Sequence, residues 1–77
     1  MHNKRTADSL LMGEINFIAE IECSEISNKL MEMNCIPGES ICLKYTTPYG
    51  GPKVFEVGGI LIGMRINEAK SILIQSK

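Results

Sequence analysis

The chain has 77 residues, 44% of them apolar and 22% charged, which fits one ordinary globular domain and excludes disorder as the reason for its small size. A formal net charge of −1 provides no basic field for phosphate backbones or anionic lipid, so neither nucleic acid nor a membrane surface is an expected partner. Three cysteines, Cys23, Cys35 and Cys42, suit neither a disulfide framework nor a Cys-x-x-Cys zinc site, and a reducing cytoplasm is the simpler reading.

Residues 1–8 are polar without an apolar period and read as a flexible tail, which leaves a single domain over 9–77. They also lack the apolar segment of a secretory signal. No run approaches the roughly 18 apolar residues of a spanning helix, so no direct membrane insertion is expected. From Glu14 to Glu22, Ile15, Phe17, Ala19 and Ile21 alternate with mainly polar neighbours, a period of two that predicts a strand with those four residues on its buried face. Ile18 breaks the polar side and reads as a residue buried against the helix that follows.

Ser24 is placed to cap a helix in which Ile26, Leu30 and Met33 form an apolar stripe, with Leu30 at its centre as the anchor to the core. The helix should end at Asn34 in a left-handed cap, because Pro37 prevents continuation and asparagine tolerates that conformation best after glycine. Pro37-Gly38 then makes a turn. Ile41, Leu43 and Tyr45 alternate with polar residues as a second strand, and Lys53 to Val57 make a third. The loop Thr46 to Pro52 joins them.

Gly58-Gly59 predicts a tight turn before a fourth strand, Ile60 to Met64, and Asn67 to Lys70 predict one helical turn before a closing strand, Ser71 to Ile74. The expected fold is therefore mostly β with one short helix, a small barrel of about five strands.

Little in this pattern offers bond-making chemistry. The single histidine, His2, lies in the predicted tail, the carboxylates stand on strand and helix surfaces, and no nucleophile is placed with a base, so no enzyme, catalytic residue or cofactor is expected. One histidine and scattered thiols do not supply the imidazole and carboxylate ligands that ferrous iron favours, so no metal site is assigned either. The Pro37-Gly38 turn gives Cys35 and Cys42 a way to approach each other, yet a free cysteine is more often a small buried hydrophobe than a ligand.

Gly50-Gly51 lacks the Lys-Ser/Thr of a phosphate loop and reads as a structural turn. Tyr45, Pro48, Tyr49 and Pro52 set two aromatics beside rigid prolines. That combination suits a protein-contact surface and equally suits tyrosines that cap a barrel end.

The order of parts resembles the ferrous iron transport protein A (FeoA) family, small SH3-like barrels. The resemblance runs from about Ser9 to Ile74 through Gly13 with Ile18 and Ile21, Leu30 to Asn34, Pro37-Gly38, Pro48 to Pro52, and Met64-Arg65 with Glu68-Ala69. Asn34 stands where the family usually has Gly, Gly51 where it has Asp, and Met64 where it has Leu. The resemblance implies a cytoplasmic, non-enzymatic accessory protein whose partner is the cytoplasmic region of a large FeoB-like iron permease.

It also relates the chain to the SH3-like regulatory module of iron-dependent repressors, which is the alternative function. Fold-keeping roles fall to Gly13, Leu30, Asn34, Gly38, Gly50, Arg65, Glu68 and Ala69. Arg65 and Glu68, three residues apart at a strand-to-helix corner, are expected to pair with each other or clamp backbone carbonyls.

Overall fold

The computed structural model describes residues 5–75 apart from residue 23, together with the backbone but not the side chains of residues 24–27. His2, Cys23, the Ser24 cap and the Ile26 side chain therefore lie outside the described residues. In chain order the elements are β1 (Arg5–Thr6), a 3₁₀ turn (Ala7–Ser9), β2 (Ile15–Ile21), α1 (Ser24–Glu32), β3 (Ser40–Thr46) and a second 3₁₀ turn (Pro48–Gly50). β4 (Lys53–Val57), β5 (Ile60–Met64), α2 (Ile66–Lys70) and β6 (Ile72–Ile74) follow. Every strand pairing is antiparallel, in one sheet of order β1-β6-β2-β3-β4-β5.

The sheet wraps one core in which Phe55, Ile18, Leu30, Ile41, Met64, Ile72, Val57 and Cys35 are fully buried. Each large aliphatic or aromatic side chain removed from water in this way contributes about 1.5–3 kcal/mol. Leu30 brings α1 into this core, and half-buried Met33 packs beside it.

β2 inverts the expected faces. Ile18 is fully buried, whereas Ile15 and Phe17 are 67% and 47% exposed and Ala19 faces solvent. The cause is a bulge: Ile18 pairs with Ile74 but Glu20 with Leu73, so Ala19 is an extra residue that switches the inward parity from even to odd positions. Ile21, past the bulge, accordingly packs against the core.

Asn34 closes α1 at φ 71, in the left-handed conformation. Around it the Cys35 N–H donates to the Leu30 carbonyl at 2.8 Å and the Asn34 N–H to the Met31 carbonyl at 3.0 Å, while Cys35 and Leu30 are both buried. This is the full Schellman arrangement with its apolar contact. The Pro37-Gly38 turn is then tied to β2, with the Gly38 N–H on the Ile18 carbonyl at 2.8 Å and the Ile18 N–H on the Glu39 carbonyl at 2.9 Å.

The start of the chain needs a correction. Of the expected tail over residues 1–8, the described part pairs with β6 as β1 and puts Ala7 in the core, while Leu10 is buried next to it. Its two described residues show no periodicity to read, and side-chain chemistry adds to the pairing with β6. The Arg5 guanidinium makes a two-pronged pair with Glu14, Nη1 to Oε2 at 2.7 Å and Nη2 to Oε1 at 2.8 Å. The Leu11 N–H adds a 2.9 Å bond to Oε1, and together these hold the Glu14 carboxyl down at a pKa of about 2. Gly13, at φ 81, then lets the chain reach β3, its N–H donating to the Leu43 carbonyl at 3.0 Å.

Candidate functional site

The β3–β4 connection is built to display its aromatics. Leu43 pairs with Phe55 but Tyr45 with Val54, so a bulge at Lys44 carries Tyr45 off the face shared by Ile41 and Leu43 and leaves it 60% exposed. Lys44 and Glu56 face each other outside at 3.5 Å. Beyond β3 the Thr47 hydroxyl donates to the Pro52 carbonyl at 2.7 Å and the Gly51 N–H to the Pro48 carbonyl at 3.3 Å, closing the loop on itself. A Cβ on Gly51 would collide with the Thr47 hydroxyl. Glycine at 51 thus preserves that closure, a reason for its presence where the resemblance has Asp.

Pro48 presets the backbone for the 3₁₀ turn, and Tyr49 and Gly50 follow in left-handed conformations at φ 62 and φ 71. For glycine that conformation is free, whereas for tyrosine it costs about 1–2 kcal/mol. The Tyr49 side chain is fully exposed and gains nothing inside the protein to offset that cost. Pro48 and Pro52 are exposed on either side of it.

Beside the loop, Gly50, Gly51 and Pro52 form one wall of an open groove of about 420 Å³, and Arg65, Ile66 and Asn67 at the start of α2 form the other. Glu68 fixes that second wall. It is a buried carboxylate whose Oε1 accepts the Arg65 N–H at 2.9 Å and whose Oε2 accepts from Lys29 Nζ of α1 at 2.6 Å. The Lys29 contact first, and the Arg65 N–H second, lower its pKa below the ordinary carboxylate value.

Glu68 thus meets Arg65 through the backbone N–H, while its ion pair is with Lys29, far away in sequence, and not with the Arg65 guanidinium. Arg65 is exposed and makes no ion pair among the described residues, so it offers a cation to the groove. Ala69 is buried behind it and donates its N–H to the Arg65 carbonyl at 3.0 Å.

The two described thiols stand apart in character. Cys35 lies in the core, where burial pushes its pKa up to about 11, whereas Cys42 is half-buried on the outer side of β3. Both are free thiols. Among the described residues, no three His, Cys, Asp or Glu side chains converge as a metal would require. No helix of the described residues is long and apolar enough to cross a membrane.

Sequence reasoning missed the exposed apolar residues Leu11, Met12, Ile15, Phe17, Ile60 and Leu61. Periodicity points to strands but not to which face is covered.

Comparison with known proteins places this architecture. Residues 8–76 match the FeoA domain family. The fold superimposes on the zinc-complexed FeoA of Stenotrophomonas maltophilia, an SH3 domain protein, with a TM-score of 0.81 at 22% identity over 92% of this chain and 89% of that one. The iron(II) transport protein A of Clostridium thermocellum matches with a TM-score of 0.87 at 32% identity over 92% of this chain, which spans 44% of that protein. T. acidophilum IdeR contains the same fold, with a TM-score of 0.78 at 22% identity over 100% of this chain and 36% of its own. No curated protein matches.

Proposed function

The chain belongs to the FeoA domain family, a group of SH3-like barrels, and on that premise we propose that it is a non-enzymatic accessory protein of ferrous iron uptake. It acts in the cytoplasm by docking to the cytoplasmic region of a FeoB-like iron permease, whose uptake activity it supports or regulates. The observation that carries this reading is Tyr49, a fully exposed aromatic ring on a left-handed backbone. Strain of that kind persists where it serves contact, and aromatic rings on rigid frames are the residues that anchor interfaces.

Tyr45, Pro48 and Pro52 extend the apolar surface, and the Arg65 groove adds a cation. The surface therefore suits a partner with an apolar anchor point flanked by a carboxylate. The likeness to T. acidophilum IdeR supports a second reading, a regulatory module within a metal-responsive repressor, through the fold alone.

Amide-shift mapping with the purified cytoplasmic region of the permease tests the docking reading. Perturbations gathered on Tyr45 to Pro52 and Arg65 to Asn67 support it. Perturbations confined to α1 refute the loop assignment.

A further inference from the structure

The two edges of the sheet are treated differently. At one end, in the described part of β1 (Arg5–Thr6), Arg5 is tied to Ser9 and Glu14, the kind of charged edge that discourages further pairing. At the other end β5 has five residues, Ile60-Leu61-Ile62-Gly63-Met64, with no charge, no proline and no neighbour beyond β4 among the described residues. Nothing in its sequence guards that edge.

The register shows which groups stand free. Gly58 and Gly59, at φ 56 and φ 90, form a two-residue turn, so the pair that flanks it, Val57 and Ile60, is hydrogen-bonded. Bonded and non-bonded pairs alternate along an antiparallel ladder, which makes Phe55–Ile62 and Lys53–Met64 bonded and leaves Glu56–Leu61 and Val54–Gly63 non-bonded. The N–H and C=O groups of Leu61 and Gly63 therefore point outward along the free edge.

We propose that β5 pairs antiparallel with β5 of a second copy of this chain, about a two-fold axis at Ile62. Leu61 then lies opposite Gly63 of the second copy and Gly63 opposite its Leu61, and both become bonded pairs that satisfy all the outward groups. Side chains fit the same register. Leu61 is 58% exposed, and the space where Gly63 would carry a Cβ is empty, so each leucine lies over a bare glycine of the other strand.

The charges agree. Arg65 falls opposite Gly59 of the second copy, beside Ile60, at a groove of about 470 Å³ that runs between the end of α1 and β5 and includes Glu32 in its lining. A free guanidinium thus meets an exposed carboxylate. A five-residue strand is only about 17 Å long, so the contact falls below the roughly 1,200 Å² of a stable interface and the dimer is transient, with a Kd between about 10 μM and 1 mM.

Sedimentation velocity and amide spectra of the whole protein, followed from about 20 μM to 1 mM, test this. The expected result is a rise in mass with concentration, with shifts and slowed exchange at the Leu61 and Gly63 amides. Leu61→Lys should abolish both without lowering the melting temperature, because its side chain is exposed. Gly63→Lys, directed into open space, should do the same. A monomer mass throughout overturns the proposal, as does association that persists in both variants or shifts confined to Ile15 and Phe17.

Discussion

Removing the Glu68 carboxylate tests how α2, and with it one wall of the Arg65 groove, is held. Glu68→Ala deletes the acceptor of the partly buried Arg65 N–H, and a donor stranded in that way costs about 1–2 kcal/mol. It also deletes the Lys29 contact, whose lysine side chain is 62% exposed, so solvent screening limits that part to about 1 kcal/mol or less.

The sum is about 1–3 kcal/mol, a sizeable share of the roughly 4–12 kcal/mol available to a domain of this length. At about 4–8 °C per kcal/mol the melting temperature should fall by about 4–24 °C. Two further variants separate the contributions. Glu68→Gln keeps an oxygen for the Arg65 N–H and should lose about half as much, whereas Lys29→Met should lose less than about 1 kcal/mol.

The pH dependence has a definite sign. The folded-state pKa of Glu68 is depressed, so its contribution is complete above the unfolded value of about 4.5 and disappears as the pH falls through the lower folded value. Glu14 also titrates in acid, but it is present in both proteins and cancels in the difference. Thermal unfolding by circular dichroism at pH 7 and pH 3 reads out both effects. A Glu68→Ala protein melting within about 2 °C of the parent at neutral pH would refute this account, as would a gap unchanged at pH 3.

Leu30→Ala should cost about 2–5 kcal/mol, because its side chain is fully buried where α1 meets the barrel, and chemical denaturation will show this as a lower midpoint at unchanged slope. Asn34→Gly should be neutral or mildly stabilising, whereas Asn34→Val should destabilise by about 1–2 kcal/mol, since only a side chain tolerant of φ 71 closes the helix without strain; thermal melts of the two variants decide it.

Much of this fold is legible in the sequence because its signals are local. Gly58-Gly59 marks the β4–β5 hairpin, alternation over Ile41 to Leu43 and Phe55 to Val57 marks core strands, and Asn34 before Pro37 marks the end of α1. The two bulges are not legible, because Ala19 and Lys44 are ordinary strand residues and carry none of the glycine or proline that flags a break. The Lys44 bulge reverses the inward parity beyond it and exposes Tyr45, whereas the Ala19 bulge lets Ile18 before it and Ile21 after it both face inward, which leaves Ile15 and Phe17 on the outer face. The described part of β1 is too short to show a period, and the Lys29–Glu68 contact joins residues 39 positions apart. Tyr49 is the clearest case: its place between prolines and glycines suggests display, but its left-handed backbone belongs to a conformation that tyrosine seldom adopts.

Tyr49→Gly is the substitution that separates contact from architecture, because it relieves the left-handed strain while deleting the ring. Its affinity for the cytoplasmic region of the permease, measured by calorimetry alongside its melting temperature, tests the docking account most directly. The account predicts a melting temperature equal to or above the parent's, together with binding weaker by about tenfold or more, about 1–2 kcal/mol for the loss of an aromatic anchor. Binding at parental affinity by a fully folded Tyr49→Gly protein would contradict it.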